Sequence, residues 1–485
     1  MIGGGLAGLS SAVALADAGL QIRLIEKRPH LGGRATSYTL PDGSEVDNCQ
    51  HVTLGCCTNL ADFYHRVGAG DKIRFYNKLF FVDAAGKRST IAAVPLPPPL
   101  HMLPSFLFFD ALSLADKWGI ANAMMAIATA GGNPPNIEGL SMLAWLQRMK
   151  QTRSAIDRFW RVVLVSALDE ELAQTDARYG IEVFWKAFLG SRTGYRVGIP
   201  LVPLAELYDG CLDAIVRKGG EVRMRGNVRE IRVNGNRFAG AALADGTEIA
   251  ADGCICAVPQ NELLELLPAE FGAAGAPLEG VRHIKTSPIT GVHLWYDRQV
   301  MTEPFLTLLD HTTQWVFNKS ELSEVKNEGD ATPGAGQYLQ LVISASYELV
   351  PKSRQEIIDL CVRELADVLP ATRTAKLVKA TVVKEINATF SPEVGVDRYR
   401  PAQQSPIKNL VLAGDWTRTG WPSTMEGAVR SGYLAAEALL SGFGETRQFL
   451  QPDLAFEGLC KFWADRNNGN RPVPEPARPP SSGNT

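Results

Sequence analysis

The sequence predicts an α/β protein in which a dinucleotide-binding domain is assembled from separated segments of the chain. A glycine turn, Gly3-Gly-Gly5-Leu-Ala-Gly8, opens the sequence, and the hydrophobic segment that follows its helix ends on the carboxylate Glu26. Towards the other end of the chain, a hydrophobic strand finishes at Gly414-Asp415. A glycine turn between strand and helix is typical of parallel sheets that bind nucleotides, so we expect both ends of the chain to meet in one domain.

Each glycine of the opening turn has its own physical reason. Gly3 permits a sharp bend, Gly5 leaves room for a pyrophosphate to approach the backbone, and Gly8 lets the helix lie close to the sheet. Leu6 and Ala7 lie between these glycines, ahead of a predicted helix whose N-terminal amides and dipole favour a bound phosphate. This arrangement predicts a Rossmann-type nucleotide site.

The second predicted strand ends on an acid. Glu26 stands where the hydroxyls of an adenosine ribose would be, with Lys27 beside it. Only Met1 and Ile2 precede Gly3, although this turn normally follows a full hydrophobic strand. If the chain begins at Met1, we therefore expect weakened retention of the dinucleotide.

Length and composition describe a globular protein with room for about two to four domain-sized cores. The 485 residues are 45% hydrophobic and carry a formal charge of −3, which argues against nucleic acid as a partner, since phosphate contacts need a basic face. The eight cysteines are scattered without paired C-x-x-C spacing, so we expect free thiols and no metal site. No secretory signal and no apolar run of the ~18 residues that a spanning helix needs are present, which predicts a cytoplasmic protein.

Changes of pattern along the chain predict the domain organisation. The nucleotide-binding domain is predicted over 1–90, 196–261 and 401–445, and a mixed α+β substrate domain with a helical insertion over 91–195 and 262–400. The tail, 446–485, is predicted to be partly disordered because it ends in a Pro-, Asn- and Ser-rich stretch. The apolar segment 91–132 has two interpretations: a buried helix pair over a pocket, or a patch that rests on the inner face of the cell membrane.

The C-terminal segment carries the most specific pattern. After Gly414-Asp415, a loop leads to Met425-Glu426-Gly427-Ala428, which opens a predicted helix. This segment resembles the FAD-binding motif of the family of flavin amine oxidases and carotenoid desaturases. The resemblance implies that FAD is the cofactor, that Asp415 approaches its ribityl phosphate, and that the amides of residues 426–428 face the pyrimidine edge of the flavin. A helix N-terminus there would stabilise negative charge on the reduced flavin.

Further segments match the same family. Leu31-Gly-Gly33-Arg34 resembles its second glycine turn, which implies that Arg34 lies along the FAD phosphates, and Val228 matches the residue whose backbone holds the adenine. The run Asp47-Asn-Cys49-Gln-His51 lies where the family's chain passes beside the flavin. Within the family, the stretches 47–56 and 414–433 are similar to the hydroxysqualene dehydroxylases, although Cys49 replaces their usual glycine.

The resemblance implies an oxidoreductase that acts on a long isoprenoid lipid. Hydroxysqualene would lose its hydroxyl and gain hydride from reduced flavin, giving squalene on the route to hopanoids. A phytoene-type carotenoid desaturase is the alternative, because the two groups share much of this pattern. A flavin amine oxidase, with Lys285 as its one candidate for a flavin-adjacent lysine, and a non-catalytic flavin-fold scaffold are further alternatives. The sequence shows no second nucleotide site for an electron donor.

Two residues are candidates for direct roles in the reaction. His51 is the candidate proton donor, since imidazole can donate near neutral pH, and its alternative role is structural. Trp421, in the loop before the predicted flavin helix, faces the substrate over the ring or else anchors the loop. The acidic run 169–171 is interpreted as a solvated helix end.

Overall fold

The computed structural model describes residues 1–322 and 336–468. The strands are β1 Arg23–Ile25, β2 Ser37–Thr39, β3 Glu45–Asp47, β4 Thr53–Leu54, β5 Ile73–Tyr76, β6 Lys78–Val82, β7 Arg88–Ala92, β8 Val197–Pro200, β9 Glu221–Arg223, β10 Val228–Asn234, β11 Arg237–Leu243, β12 Glu248–Ile249, β13 Cys254–Cys256, β14 Thr286–Tyr296, β15 Phe305–Leu308, β16 Trp315–Asn318, β17 Gln337–Ile343, β18 Leu377–Phe390 and β19 Leu410–Leu412. The α-helices are α1 Leu6–Asp17, α2 Thr58–Arg66, α3 Leu103–Leu107, α4 Leu114–Thr129, α5 Met142–Arg148, α6 Arg153–Ala155, α7 Arg161–Leu168, α8 Ala177–Val183, α9 Asp209–Val216, α10 Gln260–Leu266, α11 Lys319–Leu322, α12 Arg354–Val368, α13 Met425–Gly442 and α14 Gly458–Asn468.

A parallel sheet lies at the centre of the nucleotide domain, and its middle position is occupied by Ile2. This residue pairs in parallel with Ile25 of β1 on one side and with Cys256 of β13 on the other. Its amide donates to the carbonyl of Ile255 at 3.0 Å, and its carbonyl accepts from Ala257 at 2.8 Å. With the parallel pairs β1–β9 and β13–β19, the order is β9-β1-Ile2-β13-β19. The sheet therefore draws strands from all three predicted segments, and the α/β class is confirmed.

Two buried helices, α1 and α13, pack against each other beside this sheet. Residues 6–16 of α1 are all buried, as expected for a helix that is apolar on every side. At the crossing, a Cβ atom on Gly432 would lie 2.1 Å from Ser10 Oγ and 2.4 Å from the carbonyl of Ala7. Only glycine permits this approach, which fixes the two helices relative to each other.

The middle segment also contains a β-hairpin. Strands β10 and β11 pair in antiparallel fashion and β12 adds a third strand. Gly235 takes a φ of +60° between them, which is the conformation that an Asn-Gly turn supplies.

A seven-stranded sheet forms the substrate domain, in the order β18-β14-β17-β16-β15-β6-β7. Strands β14 to β18, all from the segment 262–400, lie in it, and α12 packs on β14 and β18. Its last two strands, β6 and β7, begin before residue 90, within the segment that was predicted to belong to the nucleotide domain. They lie in this sheet because β6 pairs in parallel with β15 through Phe81–Thr307 and Val82–Leu308. A short apolar hairpin carries no local signal for the sheet that it joins, so the prediction assigned it to the nucleotide domain.

The helical insertion shows features of both interpretations of segment 91–132. Ile120, Ala123 and Ile127 of α4 are buried, whereas Leu114 is 82% and Trp118 72% exposed. Helix α14 packs against α4, and this helix lies in the tail that was predicted to be partly disordered. Residues 469–485 of that tail lie outside the described residues. Within the described ranges, no helix is long and apolar enough to cross a bilayer.

A buried ion pair joins the nucleotide domain to the seven-stranded sheet. Lys319 Nζ lies 2.9 Å from Asp47 Oδ2 and also donates to Gln50 Oε1 at 3.1 Å. Asp47 Oδ1 accepts from the amide of Leu204 at 3.0 Å and from Ser37 Oγ at 2.8 Å. Although burial alone would raise the pKa of Asp47, Lys319 and these donors outweigh it and hold the pKa below its usual range.

We expect Lys319→Met to destabilise the protein by about 3–5 kcal/mol, because it leaves the Asp47 carboxylate buried without its cation. The measurement is the free energy of unfolding in urea. The lowered pKa of Asp47 contributes stability that is lost as pH falls. The difference in free energy of unfolding between variant and wild type should therefore narrow below about pH 4.

Lys285→Met is the matched control. Lys285 pairs with Glu393 at 3.0 Å, but its side chain is 70% exposed, so we expect a change within about 1 kcal/mol. Equal losses in the two variants would contradict the role given to the buried pair.

Candidate functional site

One cavity of ≈ 450 Å³ runs from the opening glycine turn to the seven-stranded sheet. It lies at the carboxyl ends of the parallel strands, where open α/β sheets bind their ligands. Its wall includes all but two of the predicted cofactor residues: Gly3, Gly5, Leu6, Ala7, Glu26, Lys27, Gly33, Arg34, Val228, Gly414, Asp415, Met425, Glu426 and Ala428. The two exceptions are Gly8 and Gly427, and both candidate catalytic residues, His51 and Trp421, lie on the same wall.

The glycines of the opening turn divide into structural and cavity-lining positions. A Cβ atom on Gly8 would lie 1.9 Å from the carbonyl oxygen of Gly3, so Gly8 is required for the turn itself. Gly5 differs, because its φ of −77° suits any residue and its Cβ would meet only Gly33 Cα, at 3.8 Å. The fold therefore does not need glycine at position 5, whereas a pyrophosphate that approaches this backbone does.

The acid of the second strand is held rigidly beside the glycine turn. Glu26 is buried. Its Oε2 accepts from the amide of Gly4 at 2.6 Å, and its Oε1 accepts from the backbone amide of Arg28 at 2.7 Å. Each carboxylate oxygen keeps a further lone pair, so the group can still accept from ribose hydroxyls. Lys27 is held by Glu262, at 2.5 Å.

Arg34 and Asp415 form an ion pair across the cavity wall. Arg34 Nη2 donates to Asp415 Oδ1 at 2.6 Å, and Nη1 donates to the carbonyl of Ala388 at 2.8 Å. Ser423 donates to the other oxygen of Asp415. The pair links the end of β19 to the end of β18, and it places a guanidinium where an anionic cofactor can share it.

The first turn of helix α13 faces the cavity. Thr424 accepts hydrogen bonds from two of its backbone amides, so only the others are available to a ligand. Thr424 Oγ1 accepts from the amide of Gly427 at 3.0 Å, and its carbonyl accepts from Ala428 at 2.9 Å. Of the described residues, none accepts the amides of Met425 or Glu426. The free donors of this turn are therefore at 425 and 426, which corrects the expectation that placed them at 426–428.

The side chain of Glu426 points to a neighbouring helix. Its Oε2 accepts from the amide of Leu60 at 2.7 Å and its Oε1 from that of Asn59 at 3.2 Å, which caps the start of α2. Burial raises the pKa of this carboxyl, although these amides and Arg430 favour its charged form. Glu426 thus contributes its backbone to the cavity, and its carboxylate ties α13 to α2.

His51 is oriented by the backbone. Its Nδ1 lies 3.0 Å from the carbonyl oxygen of Cys49. A carbonyl can only accept, so Nδ1 carries the proton and Nε2 presents a lone pair. Burial also lowers the pKa of the ring, which keeps it neutral. In this state His51 is a hydrogen-bond acceptor, so the proton-donor role predicted for it would require an imidazolium that its surroundings disfavour.

Trp421 is held between two cations. Lys186 Nζ lies 4.5 Å and Arg430 Cζ 5.2 Å from its ring centroid, and both distances are within the range of cation–π attraction. Among the described residues its buried Nε1 has no hydrogen-bond partner. A buried donor without an acceptor is costly, which fits a ligand with polar atoms in this part of the cavity.

The far end of the cavity is apolar. It meets the seven-stranded sheet and the helical insertion through Leu79, Phe81, Val162, Val163, Phe188, Trp315, Phe317 and Val342. Such a wall suits a hydrocarbon chain, since apolar ligand surface gains free energy by leaving water.

Sequence reasoning misread the acidic segment that follows α7. Asp169 and Glu170 are both buried, and Asp169 lines the cavity, so their interpretation as a solvated helix end is wrong. The signal was the helix before them, Arg161–Leu168, whose Val-Val-Leu-Val core predicts that it ends inside the protein. An acid that follows such a helix remains in the interior.

The residues present fit FAD. A dinucleotide with a flavin ring would fill the open space at Gly5. It would also provide acceptors for the free amides at 425 and 426 and for the unpaired Nε1 of Trp421. Glu26 would hold the ribose, Arg34 the phosphates and the start of α13 the pyrimidine edge.

We expect Gly5→Val to lower FAD affinity by more than about tenfold, roughly 1.4 kcal/mol, because its side chain would occupy the space of the pyrophosphate. The melting temperature of the apoprotein should stay unchanged. The readouts are flavin absorbance and fluorescence titration. Gly442→Val, where a Cβ meets nothing within 4 Å, is the matched control. Unchanged FAD affinity in Gly5→Val would contradict the placement of the pyrophosphate.

Known proteins match this chain over most of its length. The family model described as flavin containing amine oxidoreductase matches residues 6–440. The 15-cis-phytoene desaturase of Solanum lycopersicum is 26% identical over 467 residues, which are 91% of this chain and 77% of that protein. A zeta-carotene desaturase of Synechocystis is 25% identical over 481 residues, covering 91% and 96%.

Solved structures show the same fold. An oxidoreductase from Methanosarcina mazei superposes with a TM-score of 0.68 at 19% identity, over 89% of this chain and 97% of its own. Since the family match spans nearly the whole chain, the protein belongs to the flavin containing amine oxidoreductases and is an FAD-dependent oxidoreductase.

Proposed function

We propose that this oxidoreductase acts on a long isoprenoid chain, and that its reaction is the reductive removal of the hydroxyl of hydroxysqualene to give squalene. The observation that carries the proposal is the continuity of the cavity from the dinucleotide cradle to the apolar wall. The same two segments that resemble the hydroxysqualene dehydroxylases, 47–56 and 414–433, contribute residues to this cavity.

The reaction replaces a carbon–oxygen bond by a carbon–hydrogen bond and consumes one hydride and one proton. Reduced FAD supplies the hydride when it is bound. The protein's part is to keep water from the allylic carbon and to face its developing positive charge with π-systems. Trp315 and Phe317 lie on the cavity wall and provide such faces.

Amine oxidation is less well supported by these residues. Lys285, the candidate for a flavin-adjacent lysine, is exposed, paired with Glu393 and absent from the cavity wall. The lysine that does line the cavity near Trp421 is Lys186, which is bound by Glu182 at 2.6 Å and Asp453 at 3.0 Å. Its charge is thus already neutralised.

Desaturation of a carotenoid-type polyene is the second candidate function. The names of the relatives from Solanum lycopersicum and Synechocystis favour it. Both reactions use the same apolar cavity and the same cofactor, and they differ in the direction of electron flow. A test must therefore start from both oxidation states of the flavin.

We also propose that the exposed apolar residues of the helical insertion rest on a lipid bilayer. This apolar patch consists of Leu96, Leu100, Leu103, Leu107, Phe108, Leu114, Trp118 and Met125. Phe108 is 81% exposed, and several large apolar side chains exposed in one segment mark an interaction site.

A line of aromatic contacts connects the patch to the cavity. Phe106 packs on Phe159, Phe159 on Phe184 and Phe184 on Phe188, with ring centroids 5.6, 5.7 and 5.4 Å apart. Phe188 lines the cavity. The apolar patch and the apolar end of the cavity therefore belong to one packed aromatic cluster. Because a lipid substrate resides in a bilayer, a membrane is the occupant proposed here.

Anaerobic single turnover tests the reaction. We expect photoreduced holoenzyme and hydroxysqualene to yield squalene and oxidised flavin in equal amounts. Oxidised holoenzyme mixed with phytoene is the opposing arm, and bleaching of its flavin with formation of a new double bond would overturn the dehydroxylation proposal. Failure of photoreduced enzyme to form squalene would do the same.

Vesicle flotation tests the patch. We expect a triple variant, Phe108→Ser, Leu114→Ser and Trp118→Ser, to lose at least about 100-fold in binding to phosphatidylcholine–phosphatidylglycerol vesicles, since each side chain contributes about 1.5–3 kcal/mol when buried. Val378→Ser with Ile386→Ser, on exposed strand β18, is the matched control. Unchanged vesicle binding, or a patch that instead holds a dimer together in lipid-free sedimentation, would refute the membrane role.

A further inference from the structure

The carboxyl group of Asp169 has no assigned task in the cavity. Asp169 follows α7, is 3% exposed and lines the cavity. Its backbone is left-handed, with φ at +54°, a conformation that Asp and Asn adopt more readily than other residues with a side chain. The turn keeps this short polar side chain inside the protein.

Asp169 is held in place by hydrogen bonds alone. Its Oδ1 accepts from the amide of Ala345 at 2.7 Å, and its Oδ2 lies 2.8 Å from Thr389 Oγ1. Within the described ranges no lysine, arginine or histidine forms an ion pair with it. Asp415, in the same cavity, is paired with Arg34, so the two aspartates occupy opposite electrostatic environments.

The titratable groups around Asp169 are acidic or neutral. They are Glu170, Cys49 and Tyr347, and Glu385 lies on the same cavity wall. Glu170 turns away from the cavity, where its Oε2 accepts from Ser287 at 2.9 Å and from Tyr347 and Ser391 at 2.6 Å.

Burial is the main reason that the pKa of Asp169 lies well above its usual range. The negative charge of Glu170 adds to it, and the bonds from Ala345 and Thr389 oppose it only in part. Burial without a neighbouring cation therefore favours the protonated, uncharged form of Asp169. Its O–H can be accepted by Thr389 Oγ1, which donates or accepts equally well.

We propose that Asp169 is the proton donor of the reaction, and that it gives its carboxylic proton to the hydroxyl oxygen of the substrate. This inference rests on the proposed dehydroxylation. The carbon–oxygen bond breaks, the oxygen leaves as water with the proton from Asp169, and the carbon receives hydride from reduced flavin. The flavin loses two electrons, and Asp169 is left as a carboxylate that takes up a proton from solvent before the next turnover.

The arrangement explains why a weak acid can act at neutral pH. A general acid must carry its proton at the working pH and lose it readily in the transition state, and a buried carboxyl without a cation satisfies the first condition. His51 does not, because its single ring proton is already donated to Cys49. Asp169 is thus placed to donate a proton, and His51 to accept one.

Asp169→Asn tests the proposal, with Glu170→Gln as its matched control. Asparagine also tolerates the left-handed backbone, and it keeps an oxygen for the amide of Ala345. We expect infrared difference spectra of wild-type holoenzyme at neutral pH to show the carbonyl stretch of a protonated carboxyl, lost in Asp169→Asn and kept in Glu170→Gln. We expect the single-turnover rate of squalene formation to fall by about 100-fold or more in Asp169→Asn, with FAD affinity unchanged.

Each outcome decides the proposal. A wild-type protein without the protonated-carboxyl band at neutral pH overturns it, and titration of that band keeps the test decisive even if the asparagine variant fails to fold. Equal rates in wild type and Asp169→Asn overturn the role of Asp169 while the proposed function stands. A wild-type enzyme that forms no squalene removes the proposed function, and the proton-donor role with it.

Discussion

The buried carboxylate of Asp47 is the point on which the two domains and the cavity between them depend. It binds Ser37 and the amide of Leu204 on the nucleotide side, and Lys319 on the side of the seven-stranded sheet. Removing a charge from water is costly, so such a group persists only where its partners are fixed. The strand that carries Asp47 continues into the run ending at His51, so the geometry of the cavity wall follows from this junction.

The cavity has a polar end and an apolar end. At one end, free backbone amides and Arg34 suit the phosphates and the electron-rich ring of FAD. At the other end the wall is apolar and accepts a hydrocarbon. Asp415 and Asp169 are in opposite environments: Asp415 is paired with a guanidinium, whereas Asp169 is buried without a cation, which favours its protonated form. The same residue type therefore binds a cofactor in one place and can donate a proton in the other.

Much of the nucleotide half could be predicted from sequence, because its motifs are local. Gly5, Glu26 and the start of α13 each have a spacing that follows from backbone geometry, and all lie on one wall. The rest depends on contacts between distant segments. Nothing near β6 indicates that it pairs with β15, and nothing near Lys319 indicates that its partner is Asp47. Asp169 was misjudged because an acid at a helix end is usually solvated, and only the tertiary packing of α7 places it inside.

The contact between α1 and α13 at Gly432 has a consequence for the choice of cofactor. Both helices direct their first turns at the cavity, one from the opening glycine turn and the other from Thr424. Because the crossing leaves no space for a side chain, α1 and α13 are held close together at this point. The two helices therefore favour one ligand that carries a phosphate group at α1 and an electron-rich ring at α13, and the flavin, ribityl and phosphate groups of FAD provide both.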